Sequence, residues 1–524
     1  MLYRFLKISR VAIALIFIIA TASIFNDIYE WIPERYLKGI LFLQFIPSLL
    51  KFIEIASLSV IGFAVIILVT LLFGRIYCST ICPLGIMQDI ISWIAKKRSK
   101  RSLFFKTKIG YPIWRYSFLA LTIASLAAGF ALIVTLLDPY SQAGRIFNYV
   151  LNPIIVTLNN GVAFIAQKLN IYSIYKVSYL EFSLPIILIT FGSLGLIGYM
   201  AYKRGRLFCN TICPVGTFLG LISKVSWFKI KLNPSNCTKC AKCIGVCKSE
   251  CINLKTFKVD TSRCVDCFNC LTVCNDNAIH FKPQFLKNPS ITSNLKNTKP
   301  GRREAILTLA SLAVGSKLLA ASDKLKNDSN FKKLIQIKKN SPISPPGSKS
   351  VERFNSICTG CGLCISACPT KVLQPATIQY GLIGFMQPHL DYSVGNCNLG
   401  CTNCGSICPT GAILEVTNEQ KETLQLGKVV FVKDNCIVFT EGTDCGACSE
   451  HCPTKAVDMV PYKDDLMIPE VNQDICIGCG ACEHPCPLPP KYKAIYVDGN
   501  PVHLAAKKPE KTEQQEVIQE DFPF

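Results

Sequence analysis

The chain has 524 residues, half of them hydrophobic and 29 of them cysteine, with a formal charge of +21. Charge on that scale raises nucleic-acid binding, but much of it sits at the ends of apolar runs, in Lys96, Lys97, Arg98, Lys100, Arg101, Lys106 and Lys108 and in Lys203, Arg204 and Arg206. That is the distribution of the inner loops of a membrane protein, and it excludes a nucleic-acid partner. The apolar runs lie before about residue 205 and 25 of the 29 cysteines lie after residue 236, so a membrane half is joined to a cysteine-dense soluble half.

In chain order, apolar stretches at about 11–26, 53–73, 116–137 and 183–202 each approach the roughly 20 residues that cross a bilayer core. They predict an α-helical membrane bundle of four spanning helices, with a fifth left open. Arg4, Lys7 and Arg10 before the first span, and the basic runs after the second and fourth, place those ends in the cytoplasm. The connections 27–52 and 138–182 then face the other side. Their shorter apolar pieces, Phe42 to Leu50 and Ile154 to Leu169, are expected to lie at the interface.

This half contains an internal repeat: Gly74-Arg75-Ile76-Tyr77-Cys78-Ser79-Thr80-Ile81-Cys82-Pro83 against Gly205-Arg206-Leu207-Phe208-Cys209-Asn210-Thr211-Ile212-Cys213-Pro214. Both copies follow the cytoplasmic end of a span, so Cys78, Cys82, Cys209 and Cys213 should meet at one depth. Four thiolates there suit an iron–sulfur or zinc centre; two thiol pairs without metal, or a structural zinc site, are the alternatives. The five histidines, His280, His389, His451, His484 and His503, all lie beyond the membrane half, which excludes a bis-histidine membrane haem. No C-x-x-C-H stretch exists for a c-type haem.

After the fourth span come Cys237, Cys240, Cys243 and Cys247, then Cys264, Cys267, Cys270 and Cys274, both spaced C-x2-C-x2-C-x3-C, the bacterial ferredoxin run for [4Fe-4S] clusters. In such runs the fourth cysteine serves the neighbouring cluster. The expected sets are therefore Cys237, Cys240, Cys243 with Cys274, and Cys264, Cys267, Cys270 with Cys247. Lys248 and Asn275 stand where a proline usually follows, and Cys251 lies four residues beyond Cys247. Spacing favours Cys247 as the ligand and leaves Cys251 a buried spare thiol.

Four further sets occupy the last third: Cys358, Cys361, Cys364, Cys368; Cys397, Cys401, Cys404, Cys408; Cys436, Cys445, Cys448, Cys452; and Cys476, Cys479, Cys482, Cys486. Every one ends in Cys-Pro, and three continue as Cys-Pro-Thr. Zinc ribbons would leave the fourth cysteine and its proline unexplained, and disulfide scaffolds need no triplets at two-residue spacing. About six [4Fe-4S] clusters in α+β ferredoxin-like modules are expected.

Between the modules, Arg302 and Arg303 precede an apolar run, Ile306 to Ala321, interrupted by Lys317. It is too short to span, and reads as a twin-arginine leader that would export the last third; a basic linker helix on the cytoplasmic surface is the alternative.

The first 280 residues resemble the NapH type of membrane quinol dehydrogenase, related to NosR-like and CcoG-like polyferredoxins; Gly74 to Pro83 and Gly205 to Pro214 carry the match. Residues from about 300 to 500 resemble the NapG type, a four-cluster periplasmic ferredoxin. The chain thus looks like a fusion of the two, with the arginine pair internal rather than N-terminal.

The resemblance implies a multi-pass protein of the bacterial cytoplasmic membrane that contacts lipid and the quinone pool, oxidises quinol, and passes electrons to a periplasmic reductase or cytochrome. Expected domains are 1–230, the membrane part; 231–283, a two-cluster module; 284–345, the linker; 346–505, a four-cluster module; and 506–524, a polar tail. Glu54, at the edge of the second span, is a candidate for quinol deprotonation, with a solvated helix-end acid as the alternative. The rival functions are a cytoplasmic donor that reduces the quinone pool and a maturation factor for a partner enzyme.

Overall fold

The computed structural model describes residues 2–55, 61–98, 112–180, 183–283 and 334–508. Arg302, Arg303, the apolar run 306–321 and the tail from 509 lie outside the described residues. Of the described residues, those up to 283 and those from 337 pack as one unit.

The bundle opens with α1 (Leu2–Phe25), which begins nine residues before the expected span and carries Arg10 inside it. Helices α2 (Glu34–Phe42) and α3 (Phe45–Ile55) follow, bent by 99° against each other. Then come α4 (Gly62–Phe73), α5 (Pro83–Arg98), α6 (Pro112–Ala127), α7 (Leu132–Leu137), α8 (Pro139–Lys168, with a π turn at Phe147–Leu151), α9 (Leu184–Arg204) and α10 (Pro214–Ile222). Among the described residues, three helices are long and apolar enough to cross a membrane, α1, α8 and α9, and the bent pair α2–α3 makes a fourth if it counts as one span.

Two expected spans are broken, and one expected interfacial piece is not short. The stretch 53–73 divides where α3 ends at Ile55 and α4 begins at Gly62; a side chain at Gly62 would collide with the Phe42 carbonyl. The stretch 116–137 is cut by Gly129, left-handed at φ +75°, with Phe130 N–H returning to the Ser125 carbonyl at 2.9 Å, a glycine C-cap that no helix passes through. In the other direction, Ile154–Leu169 is the second half of α8. That helix starts earlier because Asp138 caps it, accepting from Ser141 N–H at 2.8 Å, with Pro139 at the first helical position.

The first module has two small antiparallel ladders. β1 (Phe228–Leu232) pairs with β4 (Ile279–Pro283), and β2 (Ile252–Asn253) with β3 (Lys258–Val259). The second module pairs β5 (Leu373–Pro375) with β6 (Pro388–Leu390), β7 (Leu424–Phe431) with β10 (Ile495–Ala505), and β8 (Val457–Pro461) with β9 (Met467–Val471). Such short strands bury little by themselves, and the cores form around cysteines. The two modules lie at opposite ends of α1. Tyr3 and Leu6 pack on the first module's core, whereas Phe25 packs on Tyr140 and Phe147 beside the second module's Cys361. At 1.5 Å per residue, α1 separates these contacts by about 30 Å.

Candidate metal centres

The modules exchange cysteines. One space in the first module is lined by Cys237, Cys240, Cys243 and Cys274, and another by Cys264, Cys267 and Cys270 with Cys247 and Cys251. Cys251 Sγ lies 3.5 Å from Cys247 Sγ and next to Cys264, while Cys247 faces Cys264, Cys267 and Cys270 together. In the second module, Cys368 joins Cys397, Cys401 and Cys404, and Cys486 joins Cys436, Cys445 and Cys448. Cys408 stands against Cys358, Cys361 and Cys364, and Cys452 against Cys476, Cys479 and Cys482. The fourth cysteine of every run thus completes its neighbour's set.

Repeated residues after these cysteines have a local purpose. In the three Cys-Pro-Thr copies the threonine hydroxyl sits 3.6–3.7 Å from the sulfur two residues earlier, Thr370 on Cys368, Thr410 on Cys408 and Thr454 on Cys452. Backbone N–H groups of Ala278, Ile413 and Ala456 donate to Cys274, Cys408 and Cys452 at 3.3, 3.4 and 3.2 Å. Hydrogen bonds to sulfur are what tunes the potential of such a centre. Cys397 N–H donates to the Cys479 carbonyl at 3.0 Å, joining the two halves of the module.

Burial lifts the thiols of Cys358, Cys364 and Cys482 well above the ordinary thiol range. A buried set of this kind is protonated unless a positive centre compensates, and iron bound as a cluster supplies that centre. Among the described residues, no three His, Cys, Asp or Glu side chains converge tightly enough for a single metal ion. The sulfurs instead surround spaces, which suits a polynuclear cluster better than a Zn–S distance near 2.3 Å would.

The Gly-Arg-x-x-Cys-x3-Cys-Pro repeat of the bundle builds a further four-cysteine site. Cys78, Cys82, Cys209 and Cys213 are each 3% exposed and are mutual neighbours. Pro83 and Pro214 each occupy a first helical position, so Cys82 and Cys213 cap α5 and α10, with Gly85 and Gly216 N–H turned to their sulfurs. The arginines are swapped between copies. Arg75 donates to the Cys209 carbonyl at 3.3 Å and to Asn210 Oδ1 at 2.7 Å; Arg206 donates to the Cys78 carbonyl and, at 2.8 Å, to Asp89 Oδ1. A side chain at Gly85 would collide with the Cys78 carbonyl, and one at Gly216 with the Cys209 carbonyl. Sequence reading found the Gly-Arg-x-x-Cys-x3-Cys-Pro repeat but missed these glycines; the shared Pro-x-Gly continuation was the available signal.

Both glycines that open the repeat, Gly74 at φ +78° and Gly205 at φ +65°, end α4 and α9 and press on the first module, at Asp266 and at the Lys248 carbonyl. Arg75 and Arg115 donate to the Ser262 carbonyl at 3.0 and 2.7 Å. Asp89 receives Arg206, Lys248 and Arg10 together. Arg10, taken from the sequence as a basic residue preceding the first span, is a buried ion-pair partner inside α1. At the other end, Arg145 donates to the Gly360 carbonyl at 3.3 Å and Asn148 to the Gly362 carbonyl at 2.8 Å. Glu54 accepts from Arg353 Nε at 2.7 Å, so it fastens the second module to α3.

Comparison with known proteins gives these sets a lineage. A family model described as a 4Fe-4S binding domain matches residues 56–102, 184–235 and 404–424, and one described as a 4Fe-4S dicluster domain matches 357–412 and 443–488. The methylamine utilization ferredoxin-type protein MauM of Methylophilus methylotrophus is 32% identical over 161 residues, 28% of this chain and 67% of the relative. Its namesake in Methylorubrum extorquens is 32% identical over 155 residues, 28% of this chain and 68% of that one. The chain belongs to the MauM ferredoxin-type family. The ferredoxin-type protein NapG of Escherichia coli K12 is 32% identical over 157 residues, 28% of this chain and 66% of its own length. No solved structure matches. As a member of this family, the chain is an iron–sulfur electron-transfer protein with 4Fe-4S binding domains.

Proposed function

We propose that this protein oxidises quinol in a bacterial cytoplasmic membrane and relays the electrons to a reductase or cytochrome on the periplasmic side, its first part being of the NapH type. Each of the six exchanged sets would hold a [4Fe-4S] cluster, which supplies a one-electron carrier between a two-electron quinol and its acceptor.

The observation that carries this reading is the placement of two cysteine-built modules at opposite ends of α1, whose 24 residues suffice for a bilayer core about 30 Å thick. The chain's own residues hold that arrangement. Asp89, Arg75 and Arg115 fix the first module, and Arg145, Asn148 and the Glu54–Arg353 pair fix the second. With Glu54 committed to Arg353, no proton-accepting role is assigned to it.

Two experiments test the reading. In purified membranes, adding quinol anaerobically should bleach cluster absorbance; clusters that bleach with a low-potential reductant but never with quinol would refute quinol as donor. On intact spheroplasts, external protease should cut residues 346–505 and spare 231–283, and replacing Arg302 and Arg303 with lysine should abolish cutting. Protection of both modules in the unmodified protein would refute the periplasmic assignment.

A further inference from the structure

We propose that Cys78, Cys82, Cys209 and Cys213 together hold a seventh iron–sulfur cluster, that Arg75 balances its charge, and that it links the two modules across a gap filled by Tyr77 and Tyr140. The proposal rests on the iron–sulfur reading of the modules and not on quinol as the donor. It would leave only Cys251 of the 29 cysteines outside a four-cysteine set.

The first support is charge. Arg75 and Arg206 are both 0% exposed, and burying a cation is costly unless it is hydrogen-bonded and its charge is compensated. Arg206 has Asp89. Among the described residues, no carboxylate forms an ion pair with the Arg75 guanidinium. It donates instead to Asn210 Oδ1, to the Ser262 and Cys209 carbonyls and, at 3.8 Å, to Cys78 Sγ. Asp266, the acid beside it, takes the Arg75 backbone N–H and feels the Arg75 charge without forming an ion pair with it. A cluster bound by four thiolates carries net negative charge, and this site would place it against the Arg75 guanidinium.

The second support is the donor set. Gly216 N–H reaches Cys213 Sγ at 3.3 Å, Gly85 N–H faces Cys82, and Gln88 Nε2 donates to Cys209 Sγ at 3.2 Å. Each sulfur of the site thus has a donor from backbone, amide or guanidinium. Two inert thiol pairs would not require donors aimed at every sulfur.

The third is position. Tyr77, 2% exposed, neighbours Cys78, Cys82 and Asp138. Tyr140, also 2% exposed, neighbours Asp138, Cys361 and Cys408. Toward the first module, Cys267 lies near Lys248 and Asp89, and Asp89 holds the Arg206 that donates to the Cys78 carbonyl. One buried core contains Cys78, Cys82, Cys213, Tyr77, Tyr140 and Cys361. The site therefore stands between the sets of Cys267 and Cys361. Transfer along this line makes and breaks no bond: each site is oxidised by one electron as the next is reduced by it, the donor at one end being quinol or another reductant and the acceptor a one-electron carrier.

The test uses the full chain, purified anaerobically in detergent. Iron and acid-labile sulfide should both come to about 28 per chain, from seven cubanes rather than six. Cys82→Ser and Cys213→Ser should each lose about four of each and one species from the electron paramagnetic resonance spectrum of the reduced protein, with the rest intact. Loss of that species should also narrow one signal from each module, by removing its spin coupling. Wild-type iron, sulfide and spectra in both variants would overturn the seventh cluster, and loss without narrowing would overturn its place between the modules.

Should the serine variants not fold, Arg75→Gln retains all the cysteines. It should move the midpoint of that one species to lower potential and leave the others in place. An unmoved midpoint would overturn the role of Arg75. If the reading of the modules themselves were wrong, the wild-type protein would hold no more than about four iron atoms, a different result from any of these.

Discussion

Asp89→Asn should loosen the first module from the bundle more than any other single change. The Asp89 carboxylate is met by Arg206 Nε at 2.8 Å, Lys248 Nζ at 3.2 Å and Arg10 Nη1 at 3.3 Å, with side-chain exposures of 12% for the acid and 0%, 13% and 6% for the cations. These cations come from the second copy of the membrane repeat, the first module and α1, so one carboxylate ties four segments together. Asparagine keeps the shape and removes the charge. Breaking a buried pair by removing one partner costs about 3–5 kcal/mol, because the remaining charge is left uncompensated. At roughly 2–4 °C per kcal/mol for a domain of 150–250 residues, the first module's clusters should be released on the order of 10 °C lower. Burial alone would raise the Asp89 carboxyl, but Arg206, Lys248 and Arg10 outweigh it and hold it below the usual range. Its contribution is therefore complete above the unfolded value near 4 and lost only as pH falls below that. The deficit should be the same at pH 5 and pH 7. Cluster absorbance on heating measures it, and adding Lys248→Met to Asp89→Asn should recover part of the loss. A midpoint drop under about 2 °C would refute the reasoning.

Gly85→Ala and Gly216→Ala force a side chain onto the Cys78 and Cys209 carbonyls and should each destabilise the bundle by roughly 1–3 kcal/mol; Gly161→Ala, inside a helix with open space around it, should instead raise the thermal midpoint slightly, by about 0.5–1 kcal/mol of helix propensity. Arg145→Met removes donors to the Gly360 and Thr135 carbonyls, at about 1–3 kcal/mol for buried acceptors left unpaired. Amide exchange near Ile357–Leu363 should accelerate while that of β8 does not. His503, whose Nε2 lies 2.9 Å from Ser344 Oγ, is lowered by burial from 6.5 to about 4. The unfolded chain therefore binds a proton that the folded one refuses, and the second module should lose stability as pH falls from about 6.5 to about 4 and no further on this account. His503→Gln should flatten the thermal midpoint over that window, and an unaltered slope would show that another group governs it.

Much of the cofactor chemistry was legible in the chain because a cluster site is written locally. Cys237 to Cys247 and Cys264 to Cys274 carry the C-x2-C-x2-C-x3-C spacing in the chain itself, and Cys274 lines the space of the first run while Cys247 and Cys251 both line that of the second. The helical bundle was less legible, since apolar length does not register where a helix must break. Gly129 ends a helix by its backbone conformation, and Gly62 opens one where a side chain would meet the Phe42 carbonyl, and neither changes a hydropathy average. Arg10 looked like a topology marker because charge at a helix end is usually solvated; its pairing with Asp89 joins residues 79 positions apart. Glu54 likewise meets Arg353 across 299 positions, beyond any local pattern.

The same solution recurs in the modules and the bundle. A C-x2-C-x2-C turn encloses three corners of a cluster and then runs straight, so the fourth ligand has to come from another segment; with two copies present, each supplies the other, as Cys368 and Cys408 do. In the membrane repeat, each copy provides only two cysteines, so neither can form a site alone, and the arginines reinforce the dependence by reaching across, Arg75 to Cys209 and Arg206 to Cys78. Exchange makes the copies cooperative: displacing one disturbs the ligands of both. It also sets the centres side by side, because two sites that trade residues cannot stand further apart than the short segments that connect them. Duplication with exchange is thus a route by which short, sparsely structured segments obtain both a stable core and closely spaced redox centres. If the bundle repeat holds the proposed cluster, its place between Cys267 and Cys361 extends that spacing from one module to the other.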